Sequence, residues 1–136
     1  MTLENVRLIE LPKILDDRGN LSFFENDRQI PFSIVRTYWI YDVPGGETRG
    51  GHAYKKLREL IVALSGSFDV VLHDGKKEAK FTLNRSYFGL YVPEMIWRSM
   101  QNFSTNSLAF IAASSKFDEQ DYIRDFDSFS KLKQNA

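Results

Sequence analysis

Residues 46–75 read GETRGGHAYKKLRELIVALSGSFDVVLHDG, and this stretch decides the fold. Two apolar, β-branched runs, ELIVAL and FDVVL, flank Ser65-Gly66-Ser67, and the second run closes on the turn pair Asp74-Gly75. That is the signature of consecutive strands. His52 and Tyr54 stand two residues apart, so on a strand they share one face. Working outward, FSIVRTYWIYDV (32–43) puts Arg36, Tyr38 and Ile40 on one strand face and Val35, Thr37, Trp39 and Tyr41 on the other, with the TYWIY cluster mostly core. FGLYVPEMIWRSMQNF (88–103) and SLAFIAASS (107–115) read as the next two strands, with Pro93 marking an edge, bulge or bend. The separators DDRG, VPGGETRGG, HDGKK and LNRS are turn chemistry. After Ser115 the chain turns charge-rich, and Tyr122, Phe126 and Phe129 recur at i, i+4, i+7, which predicts an amphipathic helix over about 117–133 packed on a sheet. The expected architecture is all-β, a small barrel or jelly roll whose mouth is a common ligand site, in a single domain 1–136 with its core at about 5–115.

Composition bounds the chemistry. At 136 residues and 15.8 kDa the chain suits one domain, and 43% hydrophobic residues supply a core. Eighteen basic residues balance eighteen acidic ones, so no overall field favours nucleic acid or an anionic membrane, and an anionic ligand must be held by a local cluster. Without cysteine there is no disulfide, thiolate metal site or cysteine nucleophile. His52 and His73 alone remain for imidazole chemistry, and His73, before Asp74-Gly75, reads as a solvated turn residue. MTLENVRLIELPKILDDRGN lacks the apolar run of a signal peptide, and LIVAL and LAFIAA are too short to span a bilayer, so the expectation is a cytoplasmic protein.

The segment from Gly46 to Gly66 can be set against the first cupin motif, G-x5-H-x-H-x3–4-E-x6-G: Gly46, His52, Glu59 and Gly66 match, and Tyr54 replaces the second His. Against the second motif, G-x5-P-x-G-x2-H-x3-N, Pro93 and Asn102 match, Arg98 replaces the His, Met95 the inner Gly, and the leading Gly is displaced to Gly89. The expected fold is therefore a cupin jelly-roll barrel with a short C-terminal helix. Metal cupins use the residues that here are partly Tyr54 and Arg98. A guanidinium cannot ligate and opposes a divalent ion, so neither a metal nor another cofactor is expected. A base, a phenol and a cation suit proton transfer beside a developing enolate instead, with His52 as the base and Arg98 stabilising negative charge on oxygen.

Asp17-Arg18-Gly19, FSIVRTYWIYDV, RGGHAYKKL, GLYVPEMIWRSM and DEQDYIRDFDSF together resemble the sugar 3,4-ketoisomerases of the WxcM-like cupin group, over about residues 8–130. The resemblance implies metal-independent transfer of a carbonyl from C4 to C3 of dTDP-4-keto-6-deoxy-D-glucose, upstream of a 3-amino sugar. It implies that His52 is the base, that Tyr54 stands where some members have a second catalytic His, and that Arg18 and Arg98 occupy pocket positions that vary with product stereochemistry. It also implies a homodimer with exchanged N-terminal strands.

Arg36, Tyr38 and Arg49 are candidate nucleotide contacts, because Arg forks suit a diphosphate and a Tyr ring suits thymine. Glu59 is either a further sugar-nucleotide contact in the pocket or the partner of a neighbouring Arg. The competing readings are a dTDP-sugar 3,5-epimerase, a nucleotide-sugar binding module without catalysis and a metal-dependent cupin oxygenase.

Overall fold

The computed structural model describes residues 3–135; the ends of the expected domain, residues 1, 2 and 136, lie outside them. The chain runs through β1 (Arg7–Glu10), β2 (Lys13–Ile14), β3 (Leu21–Ser22), β4 (Arg36–Ile40), β5 (Arg49–Tyr54), β6 (Glu59–Ser65), β7 (Phe68–His73), β8 (Glu78–Leu83), β9 (Phe88–Val92), β10 (Trp97–Gln101), β11 (Leu108–Ala113), β12 (Tyr122–Ile123) and the helix α1 (Phe126–Gln134). Two five-stranded sheets form, in the orders β1-β9-β6-β11-β4 and β12-β5-β10-β7-β8, and β2-β3 makes a separate small hairpin. All their pairings are antiparallel. This is the expected jelly roll.

The strand pair around Ser65-Gly66-Ser67 is present, but β6 and β7 belong to opposite sheets, so the turn crosses between layers instead of closing a hairpin. Gly66 makes the crossing possible: its φ is +67°, and a Cβ there would lie 2.7 Å from the Ser107 Cα. The two sheets enclose one core, with Ile61 and Ala63 of β6 facing Phe68, Val70 and Leu72 of β7, together with Leu90, Met100 and Ile111. The alternate β6 residues Leu60 and Val62 are buried on the outer face, under Leu11, Ile30 and Phe32. Burial on both faces explains why ELIVAL is a continuous apolar run and not an alternating one.

Four expectations are corrected here. The stretch 88–103 holds two strands, β9 and β10, with a bend at buried Pro93, where no ladder donor is needed. Trp39 and Tyr41 are 55% and 61% exposed, because Trp39 points outward from the edge strand β4 and Tyr41 lies just past its end. The tail helix begins only at Phe126, with the Asp125 carboxylate accepting from Ser128 N as its N-cap. Ahead of it Tyr122 and Ile123 pair with Tyr54 and Ala53 of β5, so the aromatic spacing that reads as helical is split between a strand and a helix. Phe129 is the helix's fully buried residue, packed with Ala53 and Ile123 against the outer face of the second sheet. His73 is not merely solvated: its Nδ1 accepts from Gly75 N, and its ring meets Phe126 edge-on.

Candidate active site

A cavity of about 530 Å³ opens between the sheets, and its walls come from four strands and the segment that ends the barrel. β5 supplies Arg49, His52 and Tyr54, β4 supplies Arg36 and Tyr38, β10 supplies Arg98, and Tyr122 and Arg124 come from β12 and the residue after it. Antiparallel pairing sets His52 directly opposite Arg98, and the register slips between Arg98 and Met100, a local irregularity of the kind that re-aims side chains beside functional sites.

The floor of the cavity is a buried ionic network. The Arg98 guanidinium donates from Nε to Glu59 Oε1 at 2.9 Å and from Nη2 to Glu59 Oε2 at 3.0 Å, and Nη2 also reaches the Tyr38 hydroxyl at 2.7 Å. Tyr38 in turn donates a short hydrogen bond to Glu59. Arg98 and Glu59 are each 1% exposed. Burial by itself favours a neutral guanidine, but the Glu59 carboxylate that it hydrogen-bonds outweighs this and raises the proton affinity of Arg98. The cation is therefore permanent. Burial likewise raises the Tyr38 and Tyr54 phenols far above their ordinary value, so both are proton donors and not phenolates. Gly50 lets the chain pass over this floor: its φ is +76°, and a Cβ would come within 2.2 Å of Arg98 Nη1.

His52 stands above the network. Its ring centroid lies 4.9 Å from that of Tyr54 and 5.0 Å from that of Tyr122, and its buried Nε2 has no hydrogen-bond partner among the described residues. Burial, then the charges of Arg98 and Arg124, push its pKa down to about 3. The imidazole is thus a neutral base at physiological pH, with one nitrogen unengaged. A group of this kind over a fixed cation can remove a proton from carbon while the developing oxyanion is held.

The donor set does not fit the metal that other cupins carry. Both Glu59 oxygens are engaged by Arg98 and Tyr38, Tyr54 and Arg98 stand at two ligand positions, and among the described residues no cluster of three His, Cys, Asp or Glu side chains is present.

The structure gathers His52, Tyr54, Arg98, Arg36, Tyr38 and Arg49 around one cavity. Glu59 is not in the wall; it lies beneath, acting on Arg98 and Tyr38. Arg18 is not brought to its own chain's cavity: it sits in the turn after β2, its side chain 90% exposed and paired with Asp16 at 2.9 Å. Tyr122 and Arg124 were not among the candidate residues, yet both line the cavity. The D-Y-I-R element of residues 121–124 was their signal, hidden by the helical reading of the tail.

A jelly roll with an acid–base cavity and a buried cation defines a cupin-type enzyme. The family model FdtA, described as WxcM-like, C-terminal, matches residues 4–134. A curated TDP-4-oxo-6-deoxy-alpha-D-glucose-3,4-oxoisomerase of Aneurinibacillus thermoaerophilus is 44% identical over 129 residues, 95% of this chain and 92% of that protein. Among solved structures, the WlaRB TDP-quinovose 3,4-ketoisomerase of Campylobacter jejuni superposes with a TM-score of 0.90 at 40% identity, covering 94% and 98% of the two chains. A histidine-to-asparagine variant of the 3,4-ketoisomerase QdtA of Thermoanaerobacterium thermosaccharolyticum, in complex with TDP-4-keto-6-deoxyglucose, gives 0.94 at 35% identity over 96% and 95%. The chain belongs to the FdtA, WxcM-like family.

Proposed function

We propose that this chain moves the keto group of TDP-4-keto-6-deoxyglucose from C4 to C3 without metal or redox cofactor. The observation that carries the reading is the placement of His52 directly opposite Arg98, with its buried Nε2 free of any hydrogen-bond partner among the described residues. A hydrogen on C3 is acidic because its carbanion delocalises onto the C4 oxygen. His52 removes it, and Arg98, kept cationic by Glu59, stabilises the enediolate; each such element commonly contributes about 10²–10³-fold or more. Tyr54, at 4% exposure and held neutral, is the acid that completes the transfer at C4. Arg36 and Arg49 at the wall take the diphosphate, with Tyr38 alongside. The 3-keto product is the substrate class of an amination step.

The protein acts as a single-domain homodimer in which the β2-β3 hairpin, and not β1, which pairs with β9 of its own chain, reaches the neighbouring subunit, and Arg18 serves the cavity of that subunit. Supporting this are the projecting hairpin β2-β3, with Ile14, Leu15 and Leu21 all more than half exposed, and the position of Arg18 at its tip. Mixing Arg18→Ala with His52→Asn under subunit exchange then restores activity to a fraction of sites, whereas no restoration would confine Arg18 to a surface role.

Proton NMR of TDP-4-keto-6-deoxyglucose with the protein in D2O, free of added metal, tests the reaction. A 3-keto sugar labelled at C4 is expected, and its couplings report the C4 configuration. Exchange at C5 would indicate a 3,5-epimerase, and unchanged but bound substrate would indicate a binding module.

A further inference from the structure

We propose that Tyr122 is a working residue of this site: its hydroxyl renews the proton that Tyr54 gives to the substrate, connecting the buried acid to solvent. The inference rests on the ketoisomerase reading and adds to it the route by which the acid is reset. Tyr54 lies deep, and its hydroxyl donates to the Tyr122 hydroxyl at 3.4 Å. Tyr122 lines the same cavity at intermediate exposure, with its ring centroid 4.8 Å from Tyr54 and 5.0 Å from His52. The hydroxyl spacing is open beside the usual O–H···O distance of about 2.7 Å, as catalytic hydrogen bonds commonly are before substrate closes the site.

The need for a relay follows from the environment of Tyr54. Its phenolate is disfavoured by burial and by the Glu59 carboxylate. Such a group can release a proton only if another arrives in step. Its hydroxyl donates to that of Tyr122, whose ring is held against the cavity wall by the Arg124 guanidinium 4.1 Å above it. β12 exists to place this pair: Tyr122 is in register with Tyr54, so the two rings meet across the ladder.

The steps balance without an oxidant. His52 takes the C3 proton, the C3–H electron pair becomes the C3=C4 bond, and the carbonyl pair moves to O4, which receives the proton back from His52. In the second half the C3=C4 pair takes the Tyr54 proton at C4, and the O3–H proton passes to His52 as C3=O forms. Tyr54 is refilled from Tyr122, Tyr122 from water, and His52 releases its proton to water. One solvent hydrogen enters C4 at each turnover.

The test compares wild type, Tyr122→Phe, Tyr54→Phe and the double variant with unlabelled substrate in D2O. The Phe variants retain the tilted ring contact, and dTDP binding within twofold of wild type confirms an intact cavity. Wild type is expected to place deuterium at C4. Tyr122→Phe should lower kcat at least tenfold with KM within twofold, and raise the share of product carrying at C4 the protium taken from C3. The double variant should be no worse than Tyr54→Phe. Unchanged kcat and isotope content in Tyr122→Phe, additive losses in the double variant, or protium at C4 in wild type would each overturn the relay. If wild type forms no 3-keto sugar at all, the reaction assignment itself falls, an outcome distinct from any of these.

Discussion

His52 differs from an ordinary histidine only through what surrounds it. Burial and the nearby guanidinium groups of Arg98 and Arg124 hold its pKa at about 3. The free enzyme's acid limb in kcat/KM is therefore expected well below pH 5, with no inflection near 6.5, and a pH profile over 4–8 checks this. The same shift links to stability. Between about pH 3 and the unfolded-state value near 6.5, the unfolded chain binds the proton and the folded chain does not, so stability rises with pH across that window and levels off above it. Denaturant titrations at pH 4.5 and 7.5 should differ in that direction, and His52→Asn should remove this contribution to the difference. The same variant should lower turnover about 10²–10⁴-fold, as loss of a general base does, while calorimetry finds dTDP binding retained. Glu59 is as buried as Arg98 and serves it as a counter-charge. Glu59→Gln should lower kcat by weakening the hold on the guanidinium, and, unlike a wall residue, should leave the diphosphate affinity little changed.

At the scale of elements, the short strand β12 carries the cavity residue Tyr122 and leads directly into a second, Arg124, and Asp121 anchors it. The Asp121 carboxylate accepts from Lys56 N at 2.9 Å and Leu57 N at 3.2 Å, and its carbonyl accepts from Lys55 N at 2.9 Å. Asp121→Ala strips two amides of their acceptor, at a cost of about 1–3 kcal/mol for those out of reach of water. A lowered melting temperature and a loss of kcat larger than the loss of dTDP affinity are expected, because Tyr122 loses its placement before Arg36 and Arg49 do. Gly50 is the corresponding point on β5. Gly50→Ala imposes a strained backbone and drives a methyl into the Arg98 guanidinium, which Glu59 does not release. Calorimetry should show destabilisation, and turnover should collapse together with it.

For the molecule as a whole, the cavity is the place where both sheets and the closing segment meet, so its integrity depends on packing far from the chemistry. Phe129, wholly buried between α1 and the second sheet, closes the outer face of β5 behind His52. Phe129→Ala should cost about 3–5 kcal/mol, measured by denaturant unfolding, and truncation of the tail before Asp118 should abolish turnover by removing β12 as well. Among the described residues no helix is long and apolar enough to cross a membrane, and the exposed Val35, Trp39 and Tyr41 lie together on and beside the edge strand β4.

Local patterns determined a good deal by themselves. Alternation and turn residues disclosed most strands, the His52-x-Tyr54 spacing put both side chains on one face, and substitution of Tyr54 and Arg98 at ligand positions pointed to proton transfer in place of metal chemistry, since those properties reside in residue type and a two-residue period. What the chain could not disclose depends on partners distant in sequence. Only the fold sends β6 and β7 to opposite sheets, because a crossing turn and a hairpin turn look alike locally. Only the fold turns Tyr122 from a helix residue into a cavity residue, because pairing with β5 overrides an aromatic spacing that fits a helix equally well. The low proton affinity of His52 and the permanent charge of Arg98 were likewise decided in three dimensions, where desolvation and the 39-residue separation between Glu59 and Arg98 are closed into one contact.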